Sequence, residues 1–154
     1  MFHHRLRISS DGIALIKKFQ GLSLEKYCDE SGLWVIGYGH VITPSDNFSK
    51  LITPLHAEYL LYQDLRECED NLSEIVDFRL TQNQHDALIS LLFSSGRSRL
   101  VQTGIIREIK RGCYANAMQI WQNETAINGT SVASLTALRQ AECALFFTGL
   151  AIEA

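Results

Sequence analysis

The segment 19–40 combines a polar helix end, an acidic turn and a run rich in glycine and aromatic residues. Asp29 lies in the acidic turn, with Glu25 and Glu30 close to it. Hydrolysis of a glycosidic bond usually needs two carboxyl groups, one acting as the acid and one as the base or nucleophile. The acid often lies at a helix end, where partial burial raises its pKa. At that place this sequence has Gln20, an amide with no proton to donate.

Each of these residues also has a plain structural interpretation. An aspartate before Glu-Ser-Gly is more often a turn residue than a catalyst, because its side chain accepts hydrogen bonds from the turn. Glu25 and Glu30 are typical of solvated loop charges, and Glu25 lies past Gly21, beyond the helix end. A histidine that closes a Gly-Tyr-Gly hairpin, as His40 does, is typical of a hydrogen-bonded structural residue. Residue types alone therefore leave both interpretations open at Asp29.

Capping and spacing predict the elements that must position these residues. Ser10 or Asp11 can cap a first helix, and Gly21 can end it. The apolar positions of this helix are Ile13, Ile16 and Phe19. The next residues are β-branched and aromatic, with glycines as bends. They predict a β-hairpin of two or three strands between about residues 27 and 45.

A long helix follows this β region. Thr53 and Pro54 begin a helix predicted over about residues 54–76, because proline is preformed for the first helical position. Apolar residues recur along it at steps of four and three, which predicts one buried stripe. The stripe consists of Leu61, Leu65, Cys68, Leu72 and Ile75.

The rest of the chain reads as helical. Thr81 and Gln84 form a capping box for a helix that Gly96 can end. A further helix is predicted to start at Thr103. Two more are predicted around residues 115–121 and 134–147.

These elements predict one α+β, mostly helical, two-lobed domain over residues 1–154. About residues 12–52 form a small N-terminal lobe with the β-hairpin, and about residues 53–77 form a connecting helix. About residues 78–150 form a helical C-terminal lobe. A cleft between two lobes is where a polymer substrate would lie.

Composition excludes several kinds of partner. The 154-residue chain has a formal net charge of −3, which gives no electrostatic footprint for nucleic acid. It has no apolar run long enough for a signal peptide or a membrane anchor. Its four cysteines lie far apart, and no His, Cys or carboxylate cluster has metal-ligand spacing. We expect free thiols in a reducing compartment, no metal and no cofactor.

The segment 15–40 reads LIKKFQGLSLEKYCDESGLWVIGYGH. It resembles the phage-type lysozymes of glycoside hydrolase family 24, whose string is close to LIKKFEGLRLxAYxDxxGVWTIGYGH. Three later strings resemble the same family: ITPLHAEYLLYQDL, LTQNQHDALISLLFSSG and LRQAECALF. The likeness covers about residues 10–150. It implies a lysozyme-like fold and hydrolysis of the β-1,4 bond between N-acetylmuramic acid and N-acetylglucosamine in bacterial peptidoglycan.

The resemblance assigns roles to particular positions. The family's general acid, a glutamate, falls on Gln20, and its water-holding aspartate and threonine fall on Asp29 and Val35. Gln20 has the shape of glutamate without its proton, and Val35 has the shape of threonine without its hydroxyl. The hairpin residues Trp34, Tyr38 and His40 are the expected substrate contacts.

Further departures lie in the C-terminal part. Ser94 stands where the family often has asparagine, and Ser134, Ala137 and Leu138 stand where it has glycine and basic residues. Arg139 and Glu142 remain, and we expect them to be a structural pair rather than substrate ligands.

The departures at Gln20 and Val35 imply a strongly impaired muramidase. Gln20 is either an engineered substitution in an active parent or part of a natural divergence that keeps the fold. In the first case the protein is an endolysin or an antibacterial effector; in the second it is a non-catalytic module that binds glycan or a partner protein. We expect a monomer that acts at the cell wall after holin release or delivery by a secretion system. The sequence leaves open whether the protein also binds an immunity protein or another partner protein.

Overall fold

The computed structural model describes residues 6–127 and 129–148, and its first helix is α1 (Ser10–Gln20). The N-cap is Ser9, one position before the predicted Ser10 or Asp11, and its hydroxyl accepts a hydrogen bond from the Gly12 N–H. The reason is tertiary: Asp86, far along the chain, accepts hydrogen bonds from both the backbone N–H and the hydroxyl of Ser9. The predicted end at Gly21 is confirmed, with a φ of 70°.

The β region is a three-stranded antiparallel sheet in the order β1-β2-β3. Its strands are β1 (Ser23–Cys28), β2 (Trp34–Gly37) and β3 (His40–Val41). The predicted hairpin is therefore present, and its first strand begins four residues before the predicted boundary at residue 27. Because side chains alternate along a strand, the sheet has one face toward the long helix and one away from it.

The long helix is α2 (Pro54–Ile75), capped by Thr53, whose hydroxyl accepts a hydrogen bond from the His56 N–H. The predicted start at Pro54 and the apolar stripe are confirmed. Leu61, Leu65 and Leu72 are buried in the main core. A smaller core joins α2 to the sheet and consists of Ile36, Ile52, Ala57 and Leu60.

The C-terminal part packs around α3 (Gln82–Ser95), which begins with the predicted Thr81–Gln84 capping box and ends at Gly96. The remaining helices are α4 (Arg97–Thr103), α5 (Ile105–Lys110), α6 (Tyr114–Gln122) and α7 (Ala133–Phe146). The start predicted at Thr103 is wrong, because Thr103 ends α4 and Gly104, at a φ of 73°, breaks the chain before α5. A two-stranded sheet that was not predicted, β4 (Ala126–Ile127) and β5 (Thr130–Ser131), precedes α7.

The main core takes buried residues from all of the helices α1 to α7, and Trp121 and Phe146 are in ring contact within it. The α+β, mostly helical, lysozyme-like class is confirmed. Among the described residues, no helix has the length and apolar character needed to cross a membrane.

Candidate active site

A cleft of about 540 Å³ lies between the sheet and the C-terminal helices. On the sheet side it is lined by Gln20 and by residues of β1, the following turn, β2 and β3. On the other side it is lined by the end of α3, by β4 and by the start of α7. Gln20, Asp29 and Val35, which are separated along the chain, all line this one cleft.

Gln20 is the last residue of α1 and is half-buried. Its side chain packs against the hairpin turn at Gly39, where an added Cβ would lie 2.5 Å from the Gln20 Oε1. Gly39 also has a φ of 73°, which side chains rarely adopt. The turn therefore closes directly on the amide and fixes its place at the cleft.

Asp29 lies in the turn between β1 and β2. Its Oδ1 accepts hydrogen bonds from the Ser31 N–H (2.9 Å), the Ser31 hydroxyl (2.7 Å) and the Leu33 N–H (2.9 Å). The structural interpretation as a turn residue is thus confirmed. The same bonds hold the carboxylate at the cleft, so the turn and a catalytic role are compatible.

Val35 lies in the middle of the sheet and is 3% exposed. It pairs with Tyr27 on one side and with Val41 on the other, and all three line the cleft. An isopropyl group at this point has no atom that can hold a water molecule by a hydrogen bond.

The three expected substrate contacts, Trp34, Tyr38 and His40, are not among the residues that line the cleft. Trp34 and His40 belong to the opposite face of the sheet, because they alternate with Val35 and Val41 along their strands. Their role as substrate contacts stays a prediction, and this structure gives it no geometric support.

Each of these three residues has another neighbour. The Lys26 ammonium lies 5.7 Å from the Trp34 ring centroid, and the Lys17 ammonium lies 5.3 Å from that of Tyr38. The His40 Nδ1 lies 2.8 Å from an oxygen of Asp64 on α2. The Asp64 carboxylate raises the pKa of His40 above its usual value, and burial offsets part of that rise.

The C-terminal wall of the cleft holds Arg99 and Glu124, which sequence reasoning missed, and Arg139, which it named only as half of a structural pair. Arg99 donates from Nε (2.9 Å) and Nη2 (2.6 Å) to the two carboxylate oxygens of Glu124. Arg139 donates from Nε to the Glu124 carbonyl oxygen (2.6 Å) and from Nη2 to the Ser95 hydroxyl (3.0 Å). No local pattern could have found the Arg99–Glu124 pair, since its members are 25 residues apart and on different elements.

Behind this wall the expected structural pair is confirmed, with the Arg139 Nη1 2.8 Å from the Glu142 Oε1. Glu142 is 0% exposed and also accepts hydrogen bonds from the Trp121 indole N–H (3.0 Å) and the Ser90 hydroxyl. Burial raises the pKa of Glu142, and these donors offset part of the rise. The network ties α3, α6 and α7 together.

In the part of the chain that the structure describes, no group of three or more His, Cys, Asp or Glu side chains could hold a metal ion. On the sheet side, the cleft presents the Asp29 and Glu30 carboxylates of one turn, the Gln20 amide at a helix end and an apolar sheet face. The opposite wall presents the Arg99–Glu124 ion pair and Arg139.

This chain is similar in sequence and in structure to known proteins. The model of the phage lysozyme family matches residues 17–142. The endolysin of Acyrthosiphon pisum secondary endosymbiont phage 1 is 34% identical over 145 residues, which cover 92% of this chain and 98% of that protein. The endolysin of Salmonella phage P22 is 34% identical over 149 residues, covering 93% and 99%. The solved muramidase domain of SpmX from Asticaccaulis excentricus has a TM-score of 0.79 at 35% identity, covering 91% of this chain and 97% of that one.

The fold and the cleft are those of a lysozyme-type glycoside hydrolase. The chain belongs to the phage lysozyme family. Enzymes of this family act on peptidoglycan, and this family membership confirms the resemblance seen in the sequence.

Proposed function

We propose that this protein binds the glycan strands of bacterial peptidoglycan in the cleft and is strongly impaired as a muramidase. The observation that carries the proposal is the set of cleft positions described above. Gln20 stands where the acid is expected and Val35 where the water's hydroxyl partner is expected, while Asp29 is retained. The reaction in question is hydrolysis of the β-1,4 bond between N-acetylmuramic acid and N-acetylglucosamine.

The expected loss is large. General acid catalysis contributes about 10²–10⁴-fold to a rate, and an amide cannot supply it. Losing the group that holds the attacking water removes part of the positioning contribution as well. The two losses need not add, because such groups act as a unit.

No other described carboxylate replaces the missing acid. Glu25 does not line the cleft. Glu30 lines the cleft but follows Asp29 in the same turn, away from the helix end where the acid is expected. Both oxygens of Glu124 are bound by Arg99.

Two accounts of the chain remain under this proposal. An active parent, acting as an endolysin or as a delivered effector, could carry an engineered Gln20; alternatively, the natural protein is a pseudo-lysozyme that binds glycan or a partner protein. The paired change at Gln20 and Val35 favours the second account, because an engineered acid knockout explains only the first of the two.

The test measures binding and cleavage separately. Purified peptidoglycan should retain the protein in a pull-down, while release of reducing sugar ends should stay near background. The matched control is the same chain with Glu74→Gln, an exposed change outside the cleft lining, which should be retained equally well and release no more sugar ends. Release at the rate of an ordinary family member would contradict the impairment. Absence of retention would contradict glycan binding and would favour a protein partner.

A further inference from the structure

We propose that Tyr27 is the sugar-stacking residue of the cleft, in the role that the sequence assigned to Trp34. Tyr27, Val35 and Val41 form what we term the apolar row, one residue from each strand of the sheet. The inference rests on the proposed glycan binding and names the surface that carries it.

Strand register defines the apolar row. Tyr27 pairs with Val35, and Val35 pairs with Val41, so the three side chains point to the same face of the antiparallel sheet. Trp34 pairs with Cys28 one position away and points to the other face. The neighbours agree, because Ile36, which shares the Trp34 face, packs into the core against α2.

Two of the three members of the apolar row are exposed enough to meet a ligand, whereas Val35 is buried between them. Tyr27 is 40% exposed and Val41 45% exposed, and both line the cleft. Trp34 is 53% exposed but does not line the cleft, and its ring is partnered by Lys26. Of these two exposed aromatic residues, Tyr27 is thus the one whose ring faces the substrate space.

The chemistry of the apolar row suits a pyranose ring. A sugar ring has apolar C–H faces and a polar rim of hydroxyl and amide groups, and a flat aromatic ring can cover one of the C–H faces. Asp29 comes directly after the end of β1, and Tyr27 and Asp29 both line the cleft. A sugar stacked on Tyr27 would therefore have its polar rim beside the Asp29 carboxylate. This arrangement makes Tyr27 a determinant of glycan affinity.

The experiment measures the affinity of the folded protein for an N-acetylglucosamine tetramer and for soluble peptidoglycan fragments by calorimetry. Truncating an interfacial tyrosine commonly costs about tenfold or more in affinity, so Tyr27→Ala should weaken binding roughly tenfold. Tyr27→Phe should bind almost normally, since the ring face is kept. Trp34→Ala, an exposed aromatic on the other face of the same hairpin, is the matched control and should bind like the unaltered chain.

A second measurement needs no variant. Nuclear Overhauser contacts from sugar C–H protons should reach the Tyr27 ring and not the Trp34 ring. Equal affinity of the unaltered and Tyr27→Ala chains, or contacts confined to Trp34, would overturn the inference while leaving glycan binding intact. If the unaltered chain binds neither ligand, both the inference and the proposed glycan binding fail.

Discussion

The family resemblance expects a carboxyl group at two positions, 20 and 142, and this protein keeps it at only one of them. At the cleft, Gln20 stands where the family resemblance expects a glutamate, and the helix and turn around it are intact. Beneath the C-terminal wall, Glu142 is retained with Arg139, Ser90 and Trp121 as donors. The family resemblance assigns the first position to a reaction, whereas the contacts of the second assign it to packing. We infer from this contrast that the fold depends on Glu142 and not on an acid at position 20, which the first two predictions test.

The largest effect is expected when the glutamate is replaced by glutamine at the buried position 142. We expect Glu142→Gln to lower the free energy of unfolding by about 3–5 kcal/mol, because Arg139 would become an uncompensated buried charge. Urea unfolding followed by circular dichroism measures it. Glu74→Gln, which affects the exposed pair with Arg97, is the control and should change stability by less than about 1 kcal/mol. Equal effects of the two variants would remove the distinction.

Replacing the glutamine at position 20 with glutamate tests whether the missing acid limits catalysis in the cleft. Gln20→Glu should raise muramidase activity by roughly one to three orders of magnitude, within the range for a general acid. A half-buried glutamate there should have a raised pKa, because desolvation disfavours its charged form. Release of reducing ends from purified peptidoglycan measures the gain, with Gln20→Ala as the control. If the Gln20→Glu chain folds but stays inactive, the missing acid is not the main cause of the lost activity.

A second change in the cleft, at Val35, tests whether the two catalytic positions act together. Adding Val35→Thr to Gln20→Glu should raise the rate further, by roughly threefold to tenfold, because a hydroxyl again holds the attacking water. Val35→Thr alone should stay near background without the acid. The same reducing-end assay on all four chains gives the coupling between the two positions. Strict independence of the two changes would contradict the view that they act as one unit.

The smallest effect concerns the helix-facing side of the sheet. The pKa of His40 is raised in the folded protein by its hydrogen bond to Asp64, above the value of about 6.5 in an unfolded chain. The His40–Asp64 pair therefore stabilises the folded state fully below about pH 6.5, and this stabilisation is lost as the pH rises through the pKa of the folded protein. The melting temperature lost in Asp64→Asn should therefore be larger at pH 5.5 than at pH 8.5, by an amount equivalent to about 1 kcal/mol or less. A loss that does not vary with pH would contradict the pairing.

Local patterns predicted those parts of the fold that local chemistry determines. The Thr81–Gln84 capping box, the start at Pro54 and the helix end at Gly96 are set by residues next to each other in the chain. The Ser9 cap was missed by one residue because Asp86, a tertiary partner, selects it. The β4–β5 sheet has strands of two residues, too short for any alternation to appear.

The site was predictable only in part, for a similar reason. Gln20, Asp29 and Val35 were found through the motif that they share, and one cleft brings them together. Alternation along β2 alone places Trp34 and Val35 on opposite faces. The face of Tyr27 was not predictable, because it depends on the register between β1 and β2, which pairs Tyr27 with Val35.

The tight packing of Gly39 against Gln20 has a genetic consequence. The turn packs against an amide whose outline is that of a carboxyl group, so a glutamate side chain of the same shape fits against Gly39. Glutamine and glutamate codons differ in one base, whereas valine and threonine codons differ in two. Reversal at position 20 is therefore within reach of a single base change and needs no structural accommodation. A population that encodes this protein would sample the acid continually, and only selection against cell-wall cleavage, or the lack of benefit from it, would keep the amide in place.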